Sequence, residues 1–230
     1  MSDFARDGYS IVEGLLDAAT VQRLKARVES EAPVGAGRGG VRNLLDVAEM
    51  RDLTASAAVR ALVEPILGPD ARVVRGILFD KTSQANWKVP WHQDCTIAVM
   101  KRVDAPGYGP WSVKAGVVHV QPPTTVLEEM VSMRIHLDDC PEENGALRVA
   151  SGSHVMGKIP EGRVGEVVAE RQVVVCAVKA GGVLMMRPLL VHGSASAEMP
   201  GHRRVLHFDF AVGKLGKGLR WAADCGGDSE

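Results

Sequence analysis

Two hydrophobic periodicities divide the chain. In the first third, apolar residues recur at helical spacing. Asp17 can cap a helix running to about Glu31, in which Val21, Leu24 and Val28 fall on one face while Gln22, Arg23, Lys25 and Arg27 point mostly outward. Thr54 to Leu67 is alanine-rich and apolar-periodic, and Gly68-Pro69 stops it. Between them, Gly35 to Gly40 is a glycine-rich break. It lacks the lysine and helix start of a phosphate loop, so it reads as a linker or flap.

From Ala71 the pattern shortens to strand-length runs. Arg72 to Phe79 reads as a strand. Further strands are predicted at Thr96 to Met100, Val117 to Val120, Met130 to Leu137, Ala146 to Val149, Gln172 to Val178, Val183 to Met186, Leu189 to His192 and Arg203 to Val212. Pro141-Glu142-Glu143-Asn144-Gly145 is the clearest hairpin turn. Short strands with turn punctuation predict a mainly β fold, a sandwich or jelly roll, with the helical region packed on it. Regular βα alternation is absent, which argues against a doubly wound parallel sheet. A single domain over 1–230 is expected, helical to about 70 and β from about 71 to 213. Lys101 to Pro123 is the longest irregular stretch, and its Tyr108 and Trp111 suit a lid that closes over a ligand.

Composition narrows the function. The 230 residues are 46% hydrophobic and 24% charged with a net charge of -1, so no broad field draws the chain to nucleic acid or anionic membrane. Neither is expected as a partner. The cysteines Cys95, Cys140, Cys176 and Cys225 are widely and unevenly spaced, unlike a zinc knuckle, redox motif or disulfide scaffold. The N-terminus is polar and no apolar run approaches a membrane span, so a reduced, cytoplasmic protein is the expectation. Only 4% of residues are aromatic, yet Trp87, Trp91 and Trp111 fall in one short stretch.

That stretch holds the strongest chemical pattern, Trp91-His92-Gln93-Asp94. In extended chain, residues i and i+2 point the same way, so His92 and Asp94 can present a nitrogen and a carboxylate to one point. His192, at the end of an apolar run, is the best third ligand. Two histidines and one carboxylate leave open metal positions, the arrangement of non-haem Fe(II) and O2 chemistry. Near the C-terminus, Arg203, Val205, His207 and Asp209 share one strand face, and Arg204, Leu206, Phe208 and Phe210 share the other. A buried arginine fork there suits a carboxylate, with Ser194 as a further donor.

Taken together these residues resemble the phytanoyl-CoA dioxygenase family of Fe(II)/2-oxoglutarate oxygenases. The resemblance begins at Asp7-Gly8-Tyr9 and runs through Phe79-Asp80-Lys81, Val89 to Asp94, Glu143 to Val149 and Gly152-Ser153-His154. It ends at His192-Gly193-Ser194 and Arg203-Arg204. It implies a double-stranded β-helix, cupin-like, with His92, Asp94 and His192 as iron ligands. It also implies Arg203, Ser194 and Lys81 at the 2-oxoglutarate. Arg203 is favoured over Arg204 because the family's arginine stands eleven residues past its second histidine. Ser151 departs from the proline many members carry before Gly-Ser-His. Related iron halogenases lack the carboxylate that Asp94 provides, so its presence points to hydroxylation of a small molecule with O2, releasing succinate and CO2. Desaturation, cyclisation or epimerisation on the same scaffold, or a cupin-like binder without turnover, are the alternatives.

Other residues carry open readings. Arg134 and His136 share a strand face with Ser132 and can contact substrate or cosubstrate, or form an internal network. Trp91 should face away from the ligands and brace their strand, leaving Trp111 and Tyr108 to touch substrate. Lys101, Arg102 and Lys114 are either solvated charge or an attraction for an acidic substrate.

Overall fold

The structure, a computed structural model, describes residues 3–31, 41–198 and 201–224. The glycine-rich run 35–40 and Cys225 lie outside them. In chain order the N-terminal region has α1 (Phe4–Asp7), β1 (Tyr9–Val12), α2 (Ala18–Glu31), β2 (Val41–Arg42), α3 (Ala48–Ala55) and α4 (Ala57–Leu67). β3 (Arg72–Lys81), β4 (Val89–His92), β5 (Ile97–Val99), β6 (Trp111–Lys114), β7 (Val117–Val120) and α5 (Thr124–Glu128) follow. Then come β8 (Met130–His136), β9 (Leu147–Ala150), α6 (Val164–Glu170), β10 (Val173–Cys176), β11 (Val183–Met186), β12 (His192–Ser194) and β13 (Arg203–Ala211).

A six-stranded sheet in the order β1-β11-β8-β13-β3-β2 and a four-stranded sheet in the order β10-β9-β12-β4 carry the fold, with all pairings antiparallel. From β3 onward the chain alternates between them: β3 to β4, β8 to β9, β10 to β11, β12 to β13. That is the jelly-roll winding. The third sheet, β5-β7-β6, packs through Ile97, Val99 and Val120 on Val74, Met130 and Ala211 of the large sheet and on Leu215, Leu219 and Trp221.

Period-two alternation gives the large sheet two unlike faces. Val131, Met133 and Ile135 of β8 and Leu206, Phe208 and Phe210 of β13 point outward, and Leu24, Val28, Met50, Val59 and Val63 of the helices cover them. On the inner face, register sets Arg75, Ile77, Phe79 and Lys81 opposite Asp209, His207, Val205 and Arg203, and Asp209, His207 and Val205 in turn face Ser132, Arg134 and His136. Tyr9, Leu184 and Met186 close the other end of the sandwich against Leu147, Val149 and Cys176. One half of the interior is thus apolar and the other polar.

Four sequence expectations need correction. Thr54 to Leu67 is not one helix. Ser56 breaks it, and its side chain accepts from the Val59 amide to cap α4. The run Leu189–Val191 is a turn, and the strand begins only at His192. Residues 141–145 do not form a hairpin but carry the chain from β8 in one sheet to β9 in the other. The stretch 101–123 is not structureless: β6 and β7 pair antiparallel through it. By contrast, Asp17 caps α2 as expected, through the Thr20 amide at 2.7 Å.

Candidate metal centre and active site

β4 ends at His92 and β12 begins at His192, and the two are register partners. The chain leaves β4 and is held by the Asp94 amide donating to the Pro188 carbonyl at 2.9 Å, just before β12. His92 Nε2 lies 3.7 Å and His192 Nε2 3.6 Å from the Asp94 carboxylate. One ligand atom from each of the three residues lies within 4.8 Å of the others.

Both imidazoles are oriented for a metal. His92 Nδ1 contacts the Pro90 carbonyl and His192 Nδ1 the Leu190 carbonyl, each at 2.8 Å. A carbonyl only accepts, so Nδ1 carries the proton and Nε2 keeps its lone pair for the shared point. Burial drives His192 down to about 4, which keeps it neutral, although Asp94 opposes the shift. Burial alone would raise Asp94, but His192, His92, His207 and Arg75 together hold it at about 2. Two imidazole nitrogens with an ionised carboxylate are the donor set that non-haem iron takes. The residues fit the metal.

A cavity of about 230 Å³ opens on these ligands. Arg203, Ser194, Arg134, Leu147, Phe79 and Trp87 line it, along with Arg42, Arg75, Thr96 and Lys114. Arg203 is buried, donates to the Gly145 carbonyl and leaves its Nε without a partner among the described residues. Lys81, its register partner on β3, donates to Ser194 Oγ at 3.2 Å and to the Ala195 carbonyl at 2.7 Å. Burial, with Arg203 and Arg134 nearby, lowers the Lys81 ammonium to about 8. An anion beside Arg203 and Lys81 would relieve both. Arg204 faces the opposite side and holds Asp138 and Glu29.

The tentative substrate contacts separate. Arg134 lines the cavity, stacked 5.3 Å over Phe79 and 3.2 Å from His207 Nδ1. His136 does not; it is buried with neither ring nitrogen partnered among the described residues, and burial with Arg134 and Arg203 nearby lowers it to about 3. Trp111 and Tyr108 also lie outside the lining, packed on the cluster of the third sheet, with Tyr108 Oη donating to the Leu215 carbonyl at 2.9 Å. Lys114 stands three positions after Trp111, so the strand points them to opposite faces, and it is Lys114 that reaches the cavity. Trp91 packs behind the ligand strand on Ala150, Val164, Val167 and Val191. Arg75, Phe79 and Trp87 went unassigned from sequence. Counting back by two along β3 from Lys81 would have found the first two.

Comparison with known proteins bears on this arrangement. The phytanoyl-CoA dioxygenase (PhyH) family pattern matches residues 4–205. The chain belongs to that family. This dioxygenase is therefore an enzyme dependent on iron and 2-oxoglutarate. Its fold is shared by EctD from S. alaskensis, at 20% identity and a TM-score of 0.70 over 91% of this chain and 74% of that one. The epimerase SnoN, solved with Fe3+, alpha ketoglutarate and nogalamycin RO, matches at 21% identity and a TM-score of 0.69 over 91% and 80%. AviO1 from Streptomyces viridochromogenes Tue57 matches at 25% identity and a TM-score of 0.62 over 90% and 91%. No curated protein matches the dioxygenase by sequence. Among the described residues, no helix is long and apolar enough to cross a membrane.

Proposed function

We propose that this dioxygenase hydroxylates an unactivated C–H bond of a small molecule, with His92, Asp94 and His192 holding the iron and Arg203, Lys81 and Ser194 holding 2-oxoglutarate. The convergence of two Nε2 lone pairs on the Asp94 carboxylate, beside a buried cationic wall, carries the reading. Bound iron with 2-oxoglutarate supplies the oxidation, turning the cosubstrate into succinate and CO2.

The protein's part is positioning. The carbonyls of Pro90 and Leu190 fix the tautomer of each imidazole. Arg203 offers its unpartnered Nε to the distal carboxylate of 2-oxoglutarate, and Lys81 adds an ammonium that Ser194 orients. Phe79, Trp87 and Leu147 line the cavity with apolar surface and limit water around the reacting C–H. The free thiols of Cys95, Cys140 and Cys176 support a reducing, cytoplasmic setting.

Aerobic incubation with Fe(II), 2-oxoglutarate and ascorbate should release succinate above an iron-free control, and His92→Ala and Asp94→Ala should abolish it. A substrate screen should give a product heavier by one oxygen. No succinate under any condition would refute the oxygenase site. A product of unchanged mass would favour epimerisation, the activity for which SnoN is named.

A further inference from the structure

The cations around the cavity fall into two groups. Arg203, Lys81 and Arg134 act on one another. Arg42, Arg75 and Lys114 form the second group: burial and then Arg75 lower Arg42, and burial and then Arg42 and Arg75 lower Lys114. Thr96, two residues past Asp94, ties this second group together. Its carbonyl accepts from Arg75 at 3.3 Å, and its hydroxyl accepts from Lys114 Nζ at 3.5 Å.

Among the described residues, Asp94 and Asp209 are the carboxylates that act on this group, and Asp46 lines the recess beside Arg42. Asp209 is already engaged by Arg75 at 2.5 Å, Ser132 at 2.6 Å and His207 at 3.1 Å. Asp94 is committed to the metal. The long bond to Thr96 is the one hydrogen bond of Lys114 among the described residues, and its ammonium faces other cations across a cavity. 2-Oxoglutarate is a dianion, and the iron with the Arg203 group satisfies both its ends. Arg75 is held by Asp209, so within the second group it is the Lys114 ammonium that 2-oxoglutarate leaves unengaged.

A recess continues past the same residues. It shares Arg42, Arg75 and Ile77 with the cavity and is otherwise walled largely by Leu45, Val74, Ala98 and Val117.

We propose that Lys114, flanked by Arg42 and Arg75, receives an oxyanion on the substrate, a carboxylate or a phosphate, while an apolar portion of the same molecule occupies the recess. The substrate is thus an amphipathic organic anion. This rests on the site reading above, which leaves Lys114 without a role in holding iron or cosubstrate.

The test uses the whole protein loaded with Fe(II) and 2-oxoglutarate without oxygen, titrated with hexanoate, hexyl phosphate and hexanamide by ligand-observed NMR. At least one of the two anions should bind about tenfold or more tighter than the neutral amide. Lys114→Met should erase that margin and Lys114→Arg should keep it. The iron–cosubstrate charge-transfer absorption and 2-oxoglutarate affinity should be unchanged in both variants. Lys114 is only partly buried at the end of a short strand, so both variants should fold, which a melting curve checks. Equal binding of amide and anions, a margin that survives Lys114→Met, or a parallel loss of 2-oxoglutarate affinity would overturn the proposal. Failure of the unmodified protein to develop the absorption would instead overturn the site reading and this proposal with it. Whether hexanoate or hexyl phosphate binds tighter identifies the oxyanion.

Discussion

His92 and His192 are register partners on adjacent antiparallel strands, and their ring centroids lie 4.3 Å apart. Strand spacing therefore sets the distance between two of the three metal donors. The pairing shifts register immediately after His192, at Gly193. A Cβ at Gly193 would stand 3.1 Å from the Val89 carbonyl oxygen and 3.3 Å from the Trp91 nitrogen, both backbone atoms of β4. Gly193→Ala should force the strands apart and weaken Fe(II) binding about tenfold or more, although no ligand is changed. Metal titration with a fluorescent competitor measures this. Undiminished affinity would mean that the spacing of β4 and β12 does not govern the site.

Arg203 offers a second separation of effects. Removing a buried, charge-assisted donor should cost about 2 kcal/mol or more of 2-oxoglutarate affinity, at least about thirtyfold, while iron binding stays within about twofold. Arg203→Ala, followed by calorimetry for each ligand, checks it. Equal loss of both would contradict the assignment.

The pH dependence of cosubstrate binding should report Lys81. Its ammonium sits at about 8 because burial, Arg203 and Arg134 disfavour the charge, with the Cys140 thiol the other titratable neighbour. A bound carboxylate reverses that penalty, so binding takes up a proton. Affinity for 2-oxoglutarate should be highest below about pH 8 and fall as pH rises through it, and Lys81→Met should flatten the profile. A profile unchanged in Lys81→Met would assign the dependence elsewhere.

Asp138 ties helix to barrel. It accepts from Arg204 through three hydrogen bonds of 2.8 to 2.9 Å and pairs with Lys25 of α2 at 2.7 Å. Burial would raise its carboxyl, but the bonds from Arg204 and Lys25 hold it at about 2. A depressed acid stabilises the fold above the ordinary carboxylate range and ceases to do so as pH falls toward about 2. Asp138→Asn should cost about 1 kcal/mol at neutral pH, solvent screening included, and nearly nothing at pH of about 2. Urea melts at both pH values decide this.

Trp111 should behave as packing. It sits partly buried on the cluster with Leu215, Leu219 and Trp221, under the guanidinium of Arg102. Trp111→Ala should lower stability by about 1–3 kcal/mol and leave 2-oxoglutarate binding unchanged. A variant of full stability that loses substrate binding would restore the lid role.

The convergence of His92, Asp94 and His192 was legible because they lie close to strand ends, where residue type and alternation speak together. His92, Asp94 and His192 needed no knowledge of which strands pair. β1 was not legible: Tyr9 to Val12 is too short to declare itself, and pairing with β11 makes it a strand. The same holds for β6, whose prolines and glycines nearby read as loop until β7 lies beside it. Trp111 was placed at the substrate and Lys114 left open for this reason. Without a strand there is no alternation, and without alternation nothing says which of the two turns inward.

The third sheet carries a longer consequence. His92, His192, Arg203 and Lys81 lie on the two main sheets and Asp94 just past the end of β4, whereas Lys114 belongs to β6 in the third sheet. The proposed substrate contact at Lys114 therefore sits on a different piece of chain from the proposed metal and cosubstrate residues, although its flanking Arg42 and Arg75 stay on the large sheet. The Trp111–Val120 hairpin is the natural segment to exchange between relatives when retargeting the oxidation, and the one over which lineages can diverge without rebuilding the metal site.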